Sequence, residues 1–181
     1  MQNIKSKKEE YGGYASIILF LNRRCPVNCL TCNAGVSPEN RDQLTPSWLE
    51  SFFPRLREIE CHGNIDGQNK GYIIWTGGEP FLSFPSLEQG ISLASREKYH
   101  SEILTSGAWF PMPGQINNYL ERLIDIVQCS NQFAGQFSLR VSLDAEHQKV
   151  VPVSQIIEMI READRLGIEV NFTLRDIPGT N

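Results

Sequence analysis

The feature that most constrains the fold is a pair of alternating segments joined by one amphipathic helix. Apolar side chains alternate strictly with polar ones over residues 137–143, and residues 168–175 repeat the pattern. This period of two is typical of a strand with one apolar and one polar face. Between the segments, apolar residues recur on one side from Pro152 to Gly167, which predicts a helix. A helix that joins two strands in this way makes them parallel.

Strands and helices also alternate in the earlier part of the chain. We predict strands at 14–21, 72–76 and 102–106, and helices that begin near Thr45-Pro46, Pro85 and Gly114. The first strand is almost wholly apolar, which indicates burial on both faces. Pro54 falls inside the first helix, where we expect it to kink or split that helix. Together these elements predict an α/β fold with one parallel sheet.

The polar faces of the last two strands indicate the shape of the sheet. A parallel sheet normally has both faces covered, and we expect the apolar faces to lie beneath the helices. The polar faces then line the inside of a curved, incomplete barrel, where they enclose a solvated cavity for a polar ligand. The alternative is a sheet with one face open to solvent, because alternation alone does not distinguish the two. The predicted fold is a partial parallel (β/α) barrel with about five strands.

Three of the five cysteines lie in one loop directly after the first strand. Cys25, Cys29 and Cys32 follow one another at spacings of four and three, so a short loop can turn their thiols toward a common point. Pro26 restricts that loop. A closed structural zinc site or an ordinary iron–sulfur cluster takes four protein ligands, whereas three ligands leave an open position. The loop also follows the carboxyl end of a strand, the edge at which α/β sheets bind ligands.

The Cys-x3-Cys-x2-Cys run resembles the cluster-binding loop of the radical S-adenosylmethionine (radical SAM) enzymes. The resemblance implies that Cys25, Cys29 and Cys32 bind three irons of a [4Fe–4S] cluster, and that S-adenosylmethionine chelates the fourth. It implies that the reduced cluster cleaves this cofactor to methionine and a 5′-deoxyadenosyl radical, which abstracts hydrogen from a substrate of unknown identity. An electron donor such as a ferredoxin or flavodoxin is implied as well.

A second motif of the same family follows the second predicted strand. This motif is Gly77-Gly78-Glu79-Pro80, and its glycines let the backbone approach a ligand closely. The resemblance implies that its backbone and the Glu79 carboxylate receive the methionine amino group of the cofactor. Thr105, at the end of the third strand, is implied to face the cofactor.

The fourth and fifth strands supply the remaining candidate residues. Ser142 and Asp144 form a Ser-x-Asp pair that resembles the one on strand four of radical SAM proteins. The resemblance implies that Ser142 lies near the methionine or ribose end of the cofactor and Asp144 over the site of chemistry. His147 is a candidate to position substrate or to shuttle a proton. Arg175 is a candidate partner of the cofactor carboxylate, although a structural salt bridge is equally consistent.

Two features depart from the family pattern. The residue before the third cysteine is commonly aromatic in the family, but it is Thr31 here, which leaves the adenine contact unassigned. The family core usually has six strands, whereas this chain ends just after the fifth predicted strand. We therefore expect a flexible leader at residues 1–13 and a radical SAM core domain at 14–181, truncated after strand five. A second subunit or a missing carboxyl-terminal segment would complete it.

Charge and composition limit the partners and the location. The 181 residues carry a formal net charge of −4, without a run of five like charges, so nothing indicates nucleic-acid or membrane binding. The longest apolar run, 17–21, is too short for a membrane span or a signal peptide. Cysteines grouped as ligands fit a reducing compartment and predict a cytoplasmic protein. Cys61 and Cys129 stand alone and are interpreted as small buried apolar side chains.

Two other functions stay open on the sequence. In one, the chain is a radical SAM-like protein that binds a cluster or the cofactor without turnover, for instance as one subunit of a split enzyme. In the other, Cys25, Cys29 and Cys32 recruit a further ligand and bind a structural zinc ion.

Overall fold

The computed structural model describes residues 16–30, 32, 34–58, 71–109, 115–130 and 137–174. The predicted leader at residues 1–13 lies outside this part of the chain. Five strands form a single parallel sheet in the order β1-β2-β3-β4-β5. They are β1 Ser16–Asn22, β2 Tyr72–Gly77, β3 His100–Thr105, β4 Phe137–Ser142 and β5 Glu169–Thr173. The helices are α1 Pro46–Glu58, α2 Phe84–Arg96, α3 Gln115–Ser130, α4 Ala145–Gln148 and α5 Val153–Arg165, and a 3₁₀ turn at Pro80–Ser83 precedes α2.

The strand order places the crossover helices on one face of the sheet. Because parallel crossovers are right-handed, strands that neighbour each other in chain order bring their helices to the same side, as in a (β/α) barrel. The helices pack in the same order, α1 against α2, α2 against α3 and α3 against α5. The predicted α/β class and the five parallel strands are confirmed, and the arrangement is compatible with a partial (β/α) barrel.

Side chains on the helix-covered face of the sheet form the core. Those from the three central strands are fully buried, namely Ile73, Trp75, Ile103, Leu139 and Val141. Helix α2 approaches the indole of Trp75 closely because position 90 is glycine. A Cβ atom there would lie 2.5 Å from Cη2 of Trp75.

The opposite face of the sheet changes in polarity from strand to strand. On β3 and β4 it carries Glu102 and Arg140, which form an ion pair with a nitrogen–oxygen distance of 2.8 Å. On β1 it carries Ile18 and Phe20, which are 55% and 52% exposed. The predicted alternation of β4 is confirmed, but the predicted burial of the first strand on both faces is wrong. Strand β1 is at the edge of this sheet, and the helices cover only one of its faces.

Two predictions about the helices concern Pro54 and Cys129. Helix α1 is a single helix that includes Pro54 and is not split, whereas the kink stays a prediction. Pro54 is exposed, and its ring nitrogen has no hydrogen to donate to the carbonyl of Glu50. Cys129 is exposed rather than buried, because it lies outside the apolar stripe of α3 that ends at Val127. None of the described helices is long and apolar enough to cross a membrane.

Candidate functional site

A cavity of about 230 Å³ lies at the carboxyl ends of the first four strands. Its walls come from the loop after β1, the end of β2, the end of β3, and the segment from the end of β4 into α4. Predicted site residues that line it are Cys25, Cys29, Cys32, Gly77, Gly78, Thr105, Ser142 and His147. The topology therefore brings most of the predicted residues to one place.

The cysteine loop is fixed at its base by backbone hydrogen bonds. The N–H of Cys25 donates to the carbonyl of Ser37 at 3.2 Å, and the N–H of Ser37 donates back to Arg23 at 3.0 Å. Within the loop, the N–H of Cys32 donates to the carbonyl of Cys29 at 3.1 Å. All three thiols are free; Cys25 is buried, and the other two are half-buried.

The donor chemistry around the cavity fits a thiolate-bound metal group. Across the described residues, no three His, Cys, Asp or Glu side chains converge closely enough to hold a single ion. A [4Fe–4S] cluster does not need its cysteine sulfurs to converge on one ion, because each cysteine binds a separate iron. The three sulfurs of the loop lie around one cavity.

Burial favours the protonated form of two of the thiols, those of Cys25 and Cys29. Burial raises the pKa of Cys29 to about 11, and the charges of Cys25 and Asp144 add to the effect. Burial likewise raises the pKa of Cys25, which lies near the Glu79 carboxyl. A nucleophilic or redox-active thiol needs a lowered pKa. These cysteines therefore suit metal ligation, in which the metal displaces the protons, better than nucleophilic catalysis.

The two glycines after β2 permit a close contact with the strand that leads into the cysteine loop. A Cβ atom on Gly77 would lie 2.3 Å from the carbonyl oxygen of Asn22, and one on Gly78 would lie 2.0 Å from that of Arg24. Because neither glycine has a Cβ atom, the two segments approach closely enough for backbone hydrogen bonds. The N–H of Gly78 donates to the carbonyl of Asn22 at 2.8 Å, and the N–H of Glu79 donates to the carbonyl of Arg24 at 2.7 Å. The glycines thus join two walls of the cavity as well as lining it.

The Glu79 side chain lies behind the cavity wall and is fully buried. Its carboxylate accepts hydrogen bonds from the Thr105 hydroxyl at 2.8 Å, from the Ser106 N–H and hydroxyl at 2.9 and 2.6 Å, and from the Phe81 N–H at 3.4 Å. Burial raises its pKa, and these donors partly oppose that effect. Pro80 is also buried, at the start of the 3₁₀ turn. Glu79 is therefore placed to hold the ends of β2 and β3 together.

Thr105 and Ser106 connect this carboxylate to the cavity. Thr105 lies on the helix-covered face of β3, beside Val141, and its hydroxyl accepts from Trp109 Nε1 at 3.1 Å. Sequence reasoning did not select Ser106, although a serine directly after a predicted site residue at a strand end was a usable signal. It also did not select Phe20, whose side chain lines the cavity on the uncovered face.

Asp144 and His147 form a chain of contacts that ends at a cysteine. Asp144 caps α4, a helix that the sequence did not predict, by accepting from the N–H groups of Glu146 and His147, both at 3.1 Å. The same carboxylate oxygen is 2.8 Å from His147 Nδ1, and His147 Nε2 is 3.6 Å from the sulfur of Cys29. Burial alone would raise the pKa of Asp144, but the hydrogen bonds and charge interaction of His147, together with the N–H of Glu146, lower it.

The other predicted residues are placed as follows. Ser142 ends β4 beside Thr173 of β5, and it lines the cavity. Arg175, Thr31 and Cys61 lie outside the described residues. No protein-family model matches this chain, and no curated protein matches it.

Proposed function

We propose that the protein is a radical SAM enzyme that binds a [4Fe–4S] cluster through Cys25, Cys29 and Cys32. The observation that supports this most strongly is the meeting of the cysteine loop, the glycine turn and the end of β4 at one cavity, although they are far apart in the chain. When bound, such a cluster would supply the electron for cleavage of S-adenosylmethionine, the chemistry by which this family begins hydrogen abstraction from a substrate. The cavity residues beside the cysteines would hold the cofactor.

In this proposal the cavity holds only part of S-adenosylmethionine. Its volume of about 230 Å³ is below the roughly 300 Å³ at which small-molecule sites usually begin. Gly77, Gly78 and Ser142, which line the cavity, would hold the methionine end. Phe20, whose ring is half-exposed on the uncovered face of the sheet, would contact the adenine. This placement provides an aromatic contact that Thr31 does not supply.

The proposal gives Glu79 a different role from the one that the family resemblance implies. Its carboxylate is fully buried behind the cavity wall, where it accepts hydrogen bonds from Phe81, Thr105 and Ser106. We therefore assign it to fixing Thr105 and Ser106 at the cavity wall rather than to direct contact with the methionine amino group.

The proposal also requires a reductant and a reducing environment. A low-potential donor such as a ferredoxin or flavodoxin supplies the electron, and reduced thiols imply the cytoplasm. The substrate itself is not identified by these residues.

The test is anaerobic reconstitution with iron and sulfide, followed by dithionite and S-adenosylmethionine. We expect bound iron and sulfide, and 5′-deoxyadenosine as a product detected by mass spectrometry. Cys29→Ala should lose both. Cys129→Ala is the matched control, because that thiol is exposed on α3, and it should retain both.

Two results would contradict the proposal and assign the protein a different function. Bound zinc with no iron would identify a structural zinc site. A cluster that yields no 5′-deoxyadenosine would identify a cluster-binding protein without turnover, such as one subunit of a split enzyme.

A further inference from the structure

The His147 ring is held at both of its nitrogens. Nδ1 is 2.8 Å from the Asp144 carboxylate, and Nε2 is 3.6 Å from the sulfur of Cys29. The side chains of His147 and Asp144 are only 14% and 5% exposed. The ring therefore has a fixed orientation and little contact with water.

The backbone around His147 is fixed as well. Its carbonyl accepts from the N–H groups of Val150 and Val151 at 3.1 and 2.9 Å, and Val151 is buried in the core. Asp144 holds the first turn of α4 through its two backbone hydrogen bonds. The contact with Cys29 thus follows from the way α4 is anchored, rather than from a flexible surface side chain.

We propose that His147, positioned by Asp144, donates a hydrogen bond to the Cys29 sulfur and thereby raises the reduction potential of the bound cluster. This inference rests on the proposed function, since it requires a cluster on Cys29. An iron-bound thiolate and a carboxylate are both acceptors, so a bridge between them requires a proton on each nitrogen of the His147 ring. His147 is a positioning residue here, because it acts on the cluster through Cys29.

The direction of the effect follows from charge. Reduction adds one electron to the cluster and breaks no bond, so the negative charge on the cluster and its sulfurs increases. A hydrogen-bond donor at a ligand sulfur stabilises that more negative state, and hydrogen bonds to sulfurs are among the factors that set cluster potentials. Removing the donor should therefore make the cluster harder to reduce.

The experiment is a redox titration of the reconstituted protein with dithionite, followed by electron paramagnetic resonance without S-adenosylmethionine. His147→Leu removes the donor, and we expect its reduced-to-oxidised ratio at a fixed potential to fall about tenfold. That change equals a shift of about 59 mV to more negative potential for a one-electron couple. His147→Gln keeps an N–H donor at a similar reach and should remain closer to the unchanged protein.

His100→Leu is the matched control. His100 is at the start of β3, at the opposite end of the sheet from the cavity. Its Nε2 atom is hydrogen-bonded to the Ser138 hydroxyl at 3.1 Å. We expect this variant to keep the unchanged potential. A merely structural role for His147 predicts no systematic shift, and equal potentials for His147→Leu and the unchanged protein would overturn the inference.

A further variant keeps the test decisive if His147→Leu binds no iron. His147→Phe keeps a planar ring at this position but has no N–H, so its potential should also become more negative. An unchanged potential in His147→Phe would then overturn the inference. Failure of the unchanged protein to assemble any cluster would instead contradict the proposed function.

Discussion

At the scale of single residues, the site depends on buried polar side chains whose hydrogen bonds are satisfied within the protein. Glu79 is fully buried, yet each described donor around its carboxylate comes from a different backbone or hydroxyl group of Phe81, Thr105 or Ser106. Burying such a group without partners would cost several kcal/mol. The site is therefore built on a satisfied carboxylate, not on a reactive one.

Removal of this carboxylate should destabilise the protein. Glu79→Ala leaves the hydroxyl and N–H donors of Thr105 and Ser106 without an acceptor in a buried position. We expect the free energy of unfolding to fall by about 3 kcal/mol, the upper part of the range for unsatisfied buried groups. Urea denaturation measures the change.

Glu88→Ala is the control for that substitution. Glu88 pairs with Arg122 on the surface, and exposed pairs contribute about 1 kcal/mol or less. Equal losses in the two variants would show that the Glu79 network has no special role.

Phe20 tests where the proposed cofactor places its adenine. Phe20→Ala should leave iron content unchanged but weaken binding of S-adenosylmethionine about tenfold, because stacking of a base on an aromatic ring contributes roughly 1–3 kcal/mol. Isothermal titration calorimetry on the reconstituted protein measures the affinity. Ile18→Ala is the control on the same face of β1, since Ile18 is equally exposed but does not line the cavity. Equal affinities for the two variants would contradict this placement.

At the scale of elements, tertiary packing determines features of helices and strands that their local sequence preferences do not predict. The sequence identified the strands and the four longer helices because their periodicity is strong. Helix α4 was not predicted, because it is only four residues long and depends on the Asp144 cap. The exposure of β1 was also missed, since an apolar run does not reveal whether a strand is central or at an edge.

Gly90 shows the same competition between local preference and packing. Alanine has a helix propensity about 1 kcal/mol better than glycine, so local preference alone predicts that Gly90→Ala stabilises α2. The new Cβ would lie 2.5 Å from the Trp75 ring, so we expect destabilisation by about 1–3 kcal/mol from overpacking. Ser92→Ala, elsewhere in α2, is the control and should change stability by less than about 0.5 kcal/mol. Higher stability of Gly90→Ala in thermal unfolding would contradict the packing described.

At the scale of the whole molecule, chain order explains how distant residues form one site. Consecutive parallel strands bring their carboxyl ends to one edge, so the residues after β1, β2, β3 and β4 meet there. That much could be predicted from strand positions alone. The contact of His147 with Cys29 and the enclosure of Glu79 could not, because they depend on side-chain geometry between segments separated in sequence.

Cluster binding should stabilise the whole domain. A ligand that binds only the folded state stabilises it by about 2.7 kcal/mol at a hundredfold excess over Kd. The segment between β1 and the cysteine loop is hydrogen-bonded to Gly78 and Glu79, directly after β2. We expect the reconstituted protein to have a higher Tm than the metal-free protein under anaerobic conditions. Treatment with an iron chelator should reverse the rise, and Cys29→Ala should show none. The same Tm with and without iron would contradict coupling of the loop to the fold.

The central claim is an iron–sulfur cluster with one iron left open beside the cavity. The most direct measurement is the electron paramagnetic resonance spectrum of the reduced, reconstituted protein before and after addition of S-adenosylmethionine. We predict a [4Fe–4S] signal whose g-values shift when the cofactor is added, because the cofactor binds the open iron. A cluster signal that the cofactor leaves unchanged, or a protein that takes up zinc and no iron, would contradict the account.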